Sequence, residues 1–200
     1  MHSKLLLACC LLGIAALTAH AQMGNSGGTA TPPPGAIAPP STALDAQLSM
    51  IEGEMMPAVK AMPAEKFDFA PSQSIFAPSQ KTEFATVRTF AQQATHVAEA
   101  NYFFYRGVSG LKPDVDPRGI LKLTKKDDIV AALAGSCAYA HKAIATLTPA
   151  NSFEVLKFEE PGLWTRASLA SFGVAHAFDH YGQMVEYLRM NGIVPPASAK

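Results

Sequence analysis

The 200-residue sequence has no excess of charge, because 16 Lys and Arg are balanced by 16 Asp and Glu. Without a basic face for a phosphate backbone, nucleic acid is not an expected partner. Cysteine is scarce, with three in all, two of them adjacent at Cys9 and Cys10. No apolar run reaches the roughly 20 residues that a membrane-crossing helix needs. No segment alternates polar and apolar residues over a useful length, so a sheet is not expected.

What is present begins with an export signal. Lys4 precedes an uninterrupted apolar run from Leu5 to Leu17, and Ala19-His20-Ala21 supplies a small-x-small cleavage site before Gln22. Lipidation at Cys9 is disfavoured, since only Leu5 to Ala8 would separate it from Lys4. Residues 1–21 are therefore expected to be a signal peptide, placing the mature chain in the periplasm or the medium with no integral membrane span. Cleavage would leave Cys137 alone, unable to form an intramolecular disulfide. Four histidines would remain: His96, His141, His176 and His180.

Residues 22–42 contain nine Gly or Pro and no charge, so they are expected to be a flexible or extended linker. Residues 43–200 read as one helical domain. Leu44 to Met62 carries apolar residues at spacings of three and four, with Pro57 expected to kink it or end its regular part. The motif FAPSQ occurs twice, at 69–73 and 76–80, in a predicted long connection. A second helix is predicted over Thr82 to Arg106, with Thr82 as its cap and Gly107 as its stop. Asp114 to Lys122 reads as a loop, and a third helix runs from about Thr124 to Leu147. The last helix, Arg166 to Met190, has Thr165 as cap and Asn191-Gly192 as stop. Four long helices predict an all-α, four-helix bundle.

The histidines carry the chemistry. His176 and His180 are four apart, which puts both imidazoles on one helix face, one turn apart, as two ligands of one metal require. Leu169, Phe172, Gln183 and Tyr187 share that face, so the pair is expected to point inward. A third ligand must come from another helix. His96 is the candidate, although it lies almost opposite the Phe90–Ala94–Val97 stripe, and periodicity does not decide its orientation. His141 beside Lys142 reads as a surface or structural residue. Glu99 and Asp179 lie near the candidate ligands but read first as solvated side chains. Tyr102 to Tyr105 and the methionines of the first helix read as core, Cys137 as buried, and Trp164 as a staple before the Thr165 cap. Three histidines would leave an open coordination position, as in a catalytic site, and imidazole suits zinc, nickel, iron or copper.

The segments VRTFAQQATHVAEANYFF at 87–104 and VAHAFDHYGQMVEYLRMNGIVPPAS at 174–198 resemble the DinB/YfiT-like metalloenzyme superfamily. The second is the more specific, with His-x3-His followed by Tyr-Gly-Gln, Tyr-Leu-Arg, Asn-Gly and Pro-Pro. The similarity extends over residues 44–198 and is greatest to an exported branch. It implies a four-helix bundle whose His96, His176 and His180 hold a divalent metal, zinc or nickel first. It also implies a small-molecule substrate or ligand and a homodimer. Some relatives transfer low-molecular-weight thiols, but export argues against that activity, since such thiols belong mainly to the reducing cytoplasm. The expectation is a metal-dependent hydrolase or transferase of unknown substrate. The alternative is a metal- or small-ligand-binding stress protein without turnover.

Overall fold

A computed structural model describes residues 33–84 and 86–199. The signal-peptide reading, and the linker as far as residue 32, lie outside the described residues. From Ile37 onward the chain forms one unit. Among the described residues it holds five α-helices: α1 (Pro40–Ala61), α2 (Phe90–Ser109), α3 (Pro117–Ile120), α4 (Lys126–Ile144) and α5 (Arg166–Met190). The four long ones form the expected all-α core, with α1 and α2 each packing on both α4 and α5. No helix among the described residues is long and apolar enough to cross a membrane.

Helix α1 begins at Pro40, inside the stretch read as linker. Proline suits a first helical turn because its missing N–H is an orphan there anyway. The helix then continues through Pro57 to Ala61. Leu48, Ile51, Met55, Ala58 and Val59 are buried along one side, so packing on both sides of Pro57 holds the helix together despite the lost hydrogen bond. Met50 departs from the core reading, being 61 % exposed.

Helix α2 starts seven residues later than predicted. Its cap is Thr89, in a reciprocal capping box: Gln92 N–H donates to Thr89 Oγ1 at 3.2 Å, and Thr89 N–H donates to Gln92 Oε1 at 2.9 Å. The predicted stop, Gly107, lies inside the helix, which ends at Gly110 with φ 74°. Gly107 serves packing instead. A Cβ there would lie 2.7 Å from both Leu169 Cδ2 and Phe158 Cε2. Gly173 of α5 does the same from the other side, facing the Tyr105 ring at 3.0 Å, and the Tyr105 hydroxyl donates to the Ala170 carbonyl. Two missing side chains thus let α2 and α5 approach closely.

The 114–122 loop contains the single turn α3, capped by Asp116 Oδ1 accepting from Arg118 N–H. No side chain caps the start of α4, where Lys125 is the N-cap residue. Lys126 at its start instead donates from Nζ to the carbonyls of Lys60 and Met62, closing the C-terminal end of α1. Helix α5 matches the predicted span, with Thr165 as its cap. A two-residue antiparallel ladder, absent from the sequence expectation, pairs Val155–Leu156 (β1) with Trp164–Thr165 (β2) ahead of α5.

A candidate metal centre between two helices

The close approach of α2 and α5 brings His96, His176 and His180 together. His176 Nε2 lies 3.2 Å from His96 Nε2 and 3.1 Å from His180 Nε2. One nitrogen from each residue falls within 4.8 Å of the others. His96 can face this point while the Phe90–Ala94–Val97 stripe is also buried, because α2 is packed on both α4 and α5. That double burial is why helical periodicity left His96 undecided.

The electrostatics keep the imidazoles neutral. Burial, with help from Arg88 and His180, lowers the pKa of His96 to about 4. Burial and the neighbouring histidines lower His176 to about 4 as well, against an opposing pull from Asp179. Burial is also the first cause lowering His180. Neutral imidazoles offer lone pairs, the form in which histidine binds a metal.

A hydrogen-bonded relay fixes which nitrogen of His180 is free. Asp179 is an acceptor at one end, so the Gln183 amide nitrogen donates to Asp179 Oδ2 at 3.0 Å. Gln183 Oε1 must then accept from Gln93 Nε2, at 2.7 Å. Gln93 Oε1 is left facing His180 Nδ1 at 2.6 Å, so Nδ1 carries the proton and Nε2 a lone pair. His176 has no such support, and its buried Nδ1 lacks a partner. Aromatic rings flank it instead, Phe104 edge-on at 5.2 Å between centroids and Phe172 tilted at 6.5 Å.

These residues fit a divalent cation. A single proton among the three Nε2 atoms satisfies one contact and leaves others lone pair against lone pair, whereas one cation satisfies all three. Ligand nitrogens about 2.0–2.1 Å from a common ion stand about 3 Å apart at angles between 90° and tetrahedral, close to the separations found.

His96 and His176 line a cavity of about 460 Å³, together with Glu99, Ala100, Phe103, Phe104, Glu160, Pro161, Trp164 and Phe172. Trp164 is therefore more than a staple. Its ring meets Phe172 edge-on at 5.2 Å, and its Nε1–H donates to the Glu160 carbonyl, holding the rim loop in place. Phe103 and Phe104, read as core, also form cavity wall. Burial raises the Glu99 carboxyl above the ordinary range, opposed by Arg118. Glu99 and Phe103 also line a second hollow of about 600 Å³ bearing Arg106, Asp116, Arg118 and Glu159. The second FAPSQ segment lines a different hollow, through Phe76, Pro78 and Gln80.

The family model of the DinB superfamily matches residues 47–184. The chain belongs to the DinB superfamily. The match spans α1 into α5 and includes all three converging histidines. The fold is similar to the crystal structure of a DinB-like protein from Bacillus cereus ATCC 10987, with TM-score 0.62 and 15% identity. That similarity covers 78% of this chain and 95% of the other. No curated protein matches the chain.

His141 lies elsewhere, clamped between two carboxylates of α1: Nδ1 is 2.6 Å from Asp45 Oδ1 and Nε2 is 2.9 Å from Glu52 Oε2. Cys137 is buried, and burial pushes its thiol to about 12, so it is no nucleophile. Sequence reading passed over Gln93 and Glu160, and named Asp179 and Gln183 without joining them. Gln93 carried a usable signal: it is a polar residue one turn before His96, and the fold leaves it 2 % exposed.

Proposed function

We propose that this DinB-superfamily protein holds one divalent metal ion through Nε2 of His96, His176 and His180, and works outside the cytoplasm as a metal-dependent hydrolase or transferase. The observation that carries the reading is the convergence of three neutral imidazole nitrogens beside a ligand-sized cavity. A divalent ion held there supplies a Lewis acid toward water or a substrate oxygen or sulfur. The protein's own contributions are separate. Gln93 holds His180 in its ligating tautomer, Phe103, Phe104, Trp164 and Phe172 give the site an apolar wall, and Glu99 stands on the cavity wall as a proton acceptor.

The residues lining the cavity include no Ser, Thr, Cys or Lys. An intermediate on a hydroxyl, thiol or amine side chain is therefore disfavoured, and the second reading is a non-catalytic binding protein for metal and small ligand. Elemental analysis of protein purified without a His tag tests the shared premise. Stoichiometric zinc or nickel, lost in His176→Ala, supports it, and no metal at saturating concentrations of both overturns it. Export has its own test. Edman sequencing of the periplasmic or secreted protein should begin at Gln22, and an intact Met1 would overturn the cleavage reading.

A further inference from the structure

The histidine-lined cavity has an apolar wall made by Ala100, Phe103, Phe104, Pro161, Trp164 and Phe172. Its rings are set at angles to one another. Phe104 meets Phe103 at 5.5 Å and Phe172 at 5.2 Å between centroids, and Trp164 meets Phe172 at 5.2 Å. Phe172 lies one turn before His176 on α5 and remains 41 % exposed. Folding leaves that ring surface in water, so a molecule that covers it gains hydrophobic free energy the fold itself does not take. The volume of about 460 Å³ falls within the ordinary range for small-molecule sites, about 300–1,000 Å³. An apolar cavity of about 150 Å³ already takes benzene. This one has room for a ring and for a short arm toward the histidines.

The polar side chains on the wall are few. His96 and His176 belong to the candidate metal centre, Glu160 stands exposed on the loop between β1 and β2, and Glu99 also lines the second hollow with Arg118. Ser, Thr, Asn and Gln, which both donate to and accept from hydroxyl groups, do not line the cavity among the described residues. We propose that the cavity binds the apolar end of a small molecule. An aryl or branched alkyl group packs against Phe104, Trp164 and Phe172, and a donor atom at the other end points to the three histidines. The proposal deepens the metal-site reading and rests on it for the place of the donor atom.

Two pairs of probes test it on the full mature chain. 3-Phenylpropanol and propanol share one head, as do 3-phenylpropionohydroxamate and propionohydroxamate, whose hydroxamate chelates zinc. Within each pair only the phenyl ring differs, so the charges of the ion, Glu99, Glu160, Arg88 and Arg118 act on both members alike. On the zinc-loaded chain the phenyl hydroxamate should bind at least about tenfold more tightly than propionohydroxamate in calorimetry, as expected for burial of most of one ring. It should also shift the emission of Trp164, the only tryptophan in the sequence. Phe172→Ala should reduce the gap to less than about threefold. Phe153→Ser, at a ring 79 % exposed and outside the cavity lining, should leave the gap as it is. Equal affinities within the hydroxamate pair would overturn the proposal, as would a phenyl gain that leaves Trp164 emission unchanged or survives Phe172→Ala in full. Zinc stoichiometry is measured on the same samples. Stoichiometric zinc with no phenyl gain sinks this proposal alone. Phenylpropanol that outbinds propanol and shifts Trp164 in a chain that takes up no zinc sinks the metal reading alone.

Discussion

The buried amide oxygen of Gln93 lies 2.6 Å from Nδ1 of His180, and this contact decides which face of the imidazole is free to bind. Replacing Gln93 with Met keeps the volume and removes the hydrogen bond. Outer partners of this kind are typically worth about 10–100-fold in metal affinity. Gln93→Met should therefore weaken zinc binding by about that factor in calorimetric titration, while leaving the fold intact by circular dichroism. Gln183→Met, one step further along the relay, should have a smaller effect in the same direction. Unchanged zinc affinity in Gln93→Met would show that the relay does not orient the ligand.

His141 carries a pH dependence that is independent of the candidate metal site. Burial alone would lower its pKa, but the hydrogen bonds to Asp45 and Glu52 outweigh burial and hold the pKa above the ordinary histidine value. Both ring nitrogens face carboxylates, so the protonated form satisfies both contacts between α4 and α1. A pKa raised by folding gives stability that is full below the unfolded value of about 6.5 and is lost as pH rises through the folded value. Thermal melts of the metal-free protein should show this decline as pH rises above about 6.5. His141→Gln should remove it, making the curve flatter on the alkaline side. A variant that kept the same alkaline decline would assign it to another group.

The packing of α2 on α5 should be equally sensitive at Gly107. Alanine in a helix interior gains about 1 kcal/mol over glycine by propensity. Here the new Cβ would sit 2.7 Å from side chains on two sides, Leu169 and Phe158, and Leu169 is fully buried. Overpacking of this kind costs about 1–3 kcal/mol, so Gly107→Ala should be neutral at best and destabilising on balance in urea unfolding. Because Leu169 lies on the helix that carries His176 and His180, weaker zinc binding should accompany the lost stability. A gain in stability near the propensity value would mean that Leu169 and Phe158 move aside freely.

The positions that the sequence made legible share a local signal. Helix α5 reads correctly at both ends because Thr165 and Asn191-Gly192 act on backbone groups within one turn of themselves. Gly107 and Gly110 look alike in sequence, yet one serves inter-helix packing and the other ends the helix. Residues far apart in the chain make that distinction, and no window of sequence contains them. His96 was ambiguous for a similar reason. Periodicity identifies one buried face, and α2 has two. The pair His176 and His180 was legible because one turn of helix is enough to bring it together. The support given by Gln93 required knowing which helix lies opposite.

Helix α2 offers the most direct test of where a terminal signal resides. Three threonines precede it, Thr82, Thr86 and Thr89, but only Thr89 has a glutamine, Gln92, in the reciprocal position. The chain before it is tied in as well, with Phe90 N–H donating to the Phe69 carbonyl and Ala91 N–H to that of Phe67. Those bonds anchor the helix start against the preceding connection, where Phe67 meets Phe90 edge-on at 5.4 Å. With the first turn already held this way, Thr89→Ala should cost about 1 kcal/mol, the usual value for a capping side chain, and should not unfold the helix. Chemical denaturation gives that number. Hydrogen exchange should locate the change in the amide of Gln92, whose acceptor is removed, while the amides of Phe90 and Ala91 stay protected. Loss of protection along the whole of α2 would mean instead that the cap nucleates the helix that carries His96.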